Sequence, residues 1–287
     1  MTLRTLFCTI TVCGLLLSAQ TAPPAATPVK PGGVEQAWSI LEAGANEKSF
    51  EKRSQAVGAL GLLIHDRKAV SMAEAALQDG NSDVRTAAAH ALGEMEAKGS
   101  IRVLKDALAD NDPGVVLAVA SSLHAMNDPA AYDVYYEILT GDRKSTSGIK
   151  GEIKVIHDTK KMAVLGVDAG VSFIPFGGLG WGAYKFFTKD DISPIRASAA
   201  GVLVKDPDEE SGKALSNATE DKKWLVQVAA IRALALRGDK KYLEAVAAKM
   251  SADRALVSYT AAAAVIRLSA KPVVAPRKAP AKSAPKK

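Results

Sequence analysis

The sequence predicts an all-α fold laid out as a row of helical hairpins, and three observations carry that prediction. Apolar residues recur at helical spacing along most of the chain, alanine is abundant while aromatics supply only 5% of 287 residues, and one phase of leucines returns every 31 residues. Small side chains suit close-packed helices, whereas strands favour β-branched and aromatic ones. With 48% hydrophobic and 24% charged residues the chain can bury a sizeable core.

The repeat is read from Leu92, Leu123, Leu203, Leu234 and Val265, which follow one another at intervals of 31, 80, 31 and 31. The long interval exceeds the period by 49, so one repeat carries an insertion of that length. Upstream, Arg53 to Leu60 matches Arg85 to Leu92 at an offset of 32, which makes six units in all. In each, a first helix with apolar positions such as Ile101, Leu104 and Leu108 leads through an Asp/Asn-rich turn to a second helix. That second helix gathers Val84, Ala88, Ala91, Leu92 and Met95 on one side.

The run Asp83-Val84-Arg85-Thr86-Ala87-Ala88-Ala89-His90-Ala91-Leu92-Gly93 resembles the HEAT and HEAT-like (PBS-lyase-type) repeats, in which a turn with Asp leads into Val-Arg-x-x-Ala-Ala-x-Ala-Leu-Gly. Val116, Gln227 and Ser258 depart from the pattern at the arginine position. The resemblance implies a right-handed α-solenoid of about six two-helix repeats, interrupted in the fourth by an apolar, glycine-rich insertion. It also implies a concave face lined by the second helices that binds a protein or peptide. Outward positions there, His90, Ser121, Arg232 and Arg267, are the expected contacts.

Residues 1–19 read as an export signal. Arg4 supplies the positive start, Thr5 to Leu17 the apolar run, and Ser18 and Ala19 the small residues for cleavage. Both cysteines, Cys8 and Cys13, fall in that segment, so disulfides and thiolate chemistry are not expected of the mature chain. Residues 20–33, rich in Ala, Pro and Thr, read as a flexible leader, and the destination is the periplasm or cell envelope. The net charge of +6 does not indicate nucleic acid. The tail 271–287 holds six basic residues and no acid, residues 1–33 hold two more, and the body between them is left at −2. Four prolines make that tail an extended cationic segment suited to an anionic lipid or envelope polymer.

Repeats 1–3 and the first helix of repeat 4 occupy residues 34–142, and residues 192–270 hold the rest of repeat 4 with repeats 5 and 6. Between them, within residues 143–191, the stretch 162–187 concentrates six glycines and six aromatics: Phe173, Phe176, Trp181, Tyr184, Phe186 and Phe187. Asp168, Pro175 and Gly177-Gly178 argue against one spanning helix and for a hairpin. Three readings stand open: it folds back on the repeats, inserts shallowly in a membrane, or docks on a partner.

No catalytic, cofactor or metal constellation emerges. His65, His90, His124 and His157 lack the i, i+4 pairing of a zinc helix. None is followed by Glu, unlike the His-Glu pairs with which some HEAT-like enzymes bind iron. The turns Asp79 to Asp83 and Asp110 to Pro113 look like calcium runs, but they lack the glycine and distant Glu of such a loop and fit helix capping better. The expected function is a non-enzymatic, exported interaction scaffold. The alternatives are an envelope factor anchored through residues 162–187 and the tail, and a lyase-type HEAT-fold enzyme.

Overall fold

A computed structural model describes residues 32–140 and 192–270, and the regular structure in them is entirely helical. Three hairpins come first: α1 (Gly32–Ala45) with α2 (Phe50–Ala59), α3 (Arg67–Ala76) with α4 (Ser82–Glu94), and α5 (Ile101–Ala107) with α6 (Pro113–Ala125). Then α7 (Ala130–Thr140) and α8 (Ser193–Val202) stand on either side of the undescribed residues 141–191. Two further hairpins follow, α9 (Glu209–Ala218) with α10 (Trp224–Arg237) and α11 (Leu243–Ala247) with α12 (Ala255–Ser269). The architecture is that of an α-solenoid. The export signal, the leader up to residue 31, the aromatic stretch 162–187 and the tail 271–287 lie outside the described residues.

The acidic turns are caps. Asp79 accepts the amide of Asn81 at 2.8 Å and Asn81 that of Asp83 at 2.8 Å, while Asp110 and Asp112 do the same for Asp112 and Gly114. Each satisfies an amide that the first helical turn leaves orphaned, worth about 1 kcal/mol. The same carboxylates tie units together: Arg53 donates through two nitrogens to Asp79 at 2.8 and 2.9 Å, and Arg85 to Asp110 at 2.6 and 2.8 Å. The Arg53 hydrogen bond holds the Asp79 carboxyl below its ordinary pKa. Arg196 repeats the motif with Asp221. Where the arginine is missing, Gln227 donates to the Asp221 carbonyl and Ser258 to that of Met250.

Second helices stack on second helices, but not in chain order. α2 packs on α4 and α4 on α6; α8 packs on α10 and α10 on α12; and α12 packs on both α1 and α2. The row therefore reads α8, α10, α12, α2, α4, α6, with the last unit of the chain seated on the first. Gly44, near the end of α1, lies against Tyr259, near the start of α12, so the two helices run antiparallel. α7 packs on the free side of α6. The helices sequence assigns to the fourth unit, α7 and α8, thus stand at the two ends of the row.

Burial follows this order. Leu60, Leu92, Leu123, Leu234 and Val265 are fully buried, as their shared phase requires. Leu203, in the same phase, is only half-buried, because α8 is the end of the row and has one second-helix neighbour rather than two. Small residues let the helices close up. A side chain at Gly93 would come within 2.6 Å of the Ser122 hydroxyl of α6, which itself donates back to the Ala89 carbonyl of α4 at 2.8 Å.

The row also curls. Arg232 of α10 donates to Glu94, at the end of α4, at 2.9 Å, although α12 and α2 stand between those helices. Three interhelical steps along a straight row span about 27 Å, farther than the two side chains together reach, so the helix ends must converge on the inside of the curve.

Candidate interaction surfaces

Of the four residues expected to contact a partner, His90 on α4 and Ser121 on α6 are half-buried. Arg232 and Arg267 are brought together, and each spends donors within the fold, although Nε of Arg232 is buried without a partner. Arg232 bonds Glu94, and Arg267 donates to the Ala235 carbonyl at 2.9 Å and the Leu62 carbonyl at 2.6 Å. These carbonyls belong to the neighbours on both sides of α12, so Arg267 ties α10, α12 and the turn after α2 into one piece. Burial, followed by the charge of Arg232, lowers the Arg267 guanidinium from the usual arginine value.

The ends of the row present a different surface. On α7, Tyr132 is 63%, Tyr136 66% and Leu139 85% exposed. With Tyr135 they follow i, i+3, i+4, i+7 and so form one stripe. Its opposite side is fastened by Ala131 and by Val134, which packs with Val116 and Ala120 of α6. The His124 ring meets Tyr132 edge-on at 5.6 Å and Tyr135 at 6.4 Å, which fixes the tyrosines against α6.

The repeat register explains this stripe. Tyr132, Tyr135 and Leu139 stand 31 residues after Ile101, Leu104 and Leu108, the first-helix positions that face a second helix in the preceding unit. In α7 the same positions are presented to a second helix that does not follow among the described residues. Composition did not single the stripe out, since three tyrosines at helical spacing read equally as core; the register could have found it.

α8, at the other end, is open on the side that α6 turns to the preceding second helix through Ser122. Eight, four and one residues before the phase position stand Val84, Ala88 and Ala91 in α4, Val226, Ala230 and Ala233 in α10, and Val257, Ala261 and Ala264 in α12, all buried. Their counterparts in α8 are Ile195, Ala199 and Val202, and all three are exposed, Ile195 by 71% and Val202 by 57%. Ile192, one turn earlier, is also exposed.

Among the described residues no group of three or more His, Cys, Asp or Glu side chains is placed to hold a metal ion. Nor is any described helix long and apolar enough to cross a membrane.

Comparison with known proteins bears on the fold. Residues 39–124 match the family model of HEAT repeats. No curated protein matches the sequence. Among solved structures, human deoxyhypusine hydroxylase in complex with glycerol is similar at 15% identity and a TM-score of 0.34, over 83% of this chain and 97% of that one. A likeness at that score carries no argument about activity.

Proposed function

We propose that this HEAT-repeat chain is a non-enzymatic interaction scaffold that works after export, in the periplasm or cell envelope, and holds a protein partner on the α7 end of its row. HEAT repeats generally mediate protein interactions. The observation that carries the reading is the exposed stripe Tyr132, Tyr135, Tyr136 and Leu139, rigidly backed by α6 and in the register of a face meant for another helix. Tyrosine supplies large contact area at low entropic cost and is enriched where binding energy concentrates. The chemistry that fits is an apolar helical segment of the partner, lying as a second helix lies on the first in the other hairpins. Export is supported by Arg4, the apolar run to Leu17 and the small residues after it.

Tyr132→Asp with Leu139→Asp should abolish capture of the partner from envelope extract, a drop of at least about tenfold for two lost anchor contacts. Both side chains are exposed, so the melting temperature should stay within a few degrees. Unchanged capture by this variant would contradict the reading. If capture instead falls with His90→Ala and Ser121→Asp, the partner lies on the inner face.

A further inference from the structure

We infer that Arg232 and Arg267 form an anion site inside the curve of the row, and that it receives a carboxylate from an acidic segment of a partner protein. The starting point is an unfilled fork. Where one unit is tied to the next, Arg53 and Arg85 each place Nε and Nη2 on the two oxygens of one aspartate, at 2.6 to 2.9 Å. Arg232 reaches Glu94 through Nη2 alone, and its Nε is buried without a partner. A buried donor left unmade costs free energy that a charged acceptor recovers.

Charge points the same way. Arg267 spends Nε and Nη1 on the carbonyls of Ala235 and Leu62 rather than on a carboxylate. It lies close enough to Arg232 for that charge, after burial, to lower its pKa. Two guanidinium groups thus stand beside one bonded carboxylate, which leaves a single positive charge in excess. One further carboxylate balances it, and a planar fork grips both oxygens of such a group together.

The site also has room. A Cβ at Gly61 would lie 2.3 Å from Oε2 of Glu94, which places that carboxylate, and the guanidinium bonded to it, over the end of α2. Gly58, three residues earlier and so on the same side, faces open space, with no neighbouring side chain or helix within 4 Å of where its Cβ would be. Glu94 is the more exposed of the pair, 37% against 13% for Arg232, so it can turn aside while an incoming carboxylate closes on Nε and Nη2 together. An extended acidic segment laid over α2 meets these conditions. The inference is independent of the α7 surface, which lies at the end of the row rather than inside its curve.

The test is fluorescence anisotropy of a fluorescein-labelled hexaglutamate peptide on the full chain, with hexaglutamine as the neutral control and inorganic phosphate titrated separately. Saturable binding of hexaglutamate alone is expected. Arg232→Gln should weaken it by at least about tenfold. Glu94→Gln should tighten it several-fold, because the competing carboxylate is gone; an ion pair that served only the fold would give no such gain. Gly58→Leu should weaken binding by at least about tenfold with no fall in melting temperature, since the space it fills is open. Tyr132→Asp with Leu139→Asp should leave it unchanged. If Arg232→Gln loses helicity, the Glu94 and Gly58 variants decide alone. Absence of hexaglutamate binding, or equal affinity of Glu94→Gln and the parent, would overturn the inference. So would binding that survives Gly58→Leu, which would put the peptide elsewhere, as on the basic residues of 271–287. Binding of phosphate without the peptide would overturn the acidic segment as the occupant.

Discussion

Leu92→Ala is expected to cost about 2–5 kcal/mol of unfolding free energy, the range for a fully buried leucine whose cavity cannot collapse. Leu92 is wholly excluded from water on α4, which is held between α2 and α6, so neither neighbour is free to move inward. Leu203→Ala, at the same register position, should cost no more than about half as much, since part of that side chain is already exposed on the last helix of the row. Urea unfolding of the two variants measures the difference. Equal losses would mean that α8 is flanked on both sides as α4 is.

The second large effect is expected at the seam between the two ends of the chain. A Cβ at Gly44 would lie 2.5 Å from Cε1 of the Tyr259 ring and 2.8 Å from Cβ of Ala56, so α1 can approach α12 only without a side chain there. Gly44→Ala gains about 1 kcal/mol of helix propensity and loses about 1–3 kcal/mol to overpacking, a net loss of at most about 2 kcal/mol. Gly44→Leu adds three more carbons with nowhere to go, and the clash should win by several kcal/mol. Tyr259 is itself buried, which prevents its ring from swinging aside. Thermal unfolding of Gly44→Leu should show a loss of ten degrees or so, at roughly 2–4 °C per kcal/mol for a protein of this size. A melting temperature equal to the parent's would show that the seam is loose.

Much of the fold was legible because each hairpin is a local object. The 31-residue phase identified the residues that are buried, and the aspartate-rich turns declared themselves as caps through the chemistry of orphaned amides. What the phase could not convey is which unit sits beside which across the long interval. It constrains neighbours only within an unbroken run. The seating of α12 on α1 depends on contacts between residues far apart in sequence: Gly44 against Tyr259, and Arg267 on the carbonyl of Leu62. Arg232 and Arg267 were expected from the repeat register to line the concave face. Their commitment to Glu94 and to backbone carbonyls was not, because it follows from how tightly the row curls. The stripe on α7 was present in the spacing of Tyr132, Tyr135 and Leu139, but only the finding that α7 and α8 are separated turns three core-like positions into a surface.

The central claim is the order of the row, with the last unit packed on the first, and a circular permutant tests it most directly. Residues 141–270 are placed first, joined to residues 32–140 by a linker of six residues, the length that connects α4 to α5. If α12 and α1 are antiparallel neighbours, the end of one lies beside the start of the other and the linker spans the gap without strain. In a row that followed chain order they would stand five interhelical steps apart, about 45 Å, whereas six residues reach only about 20 Å. The account predicts that the permutant keeps the parent's helicity and melts cooperatively within a few degrees of it. A permutant that loses cooperative melting or fails to fold, while the unpermuted chain of the same residues folds, would contradict the order of the row.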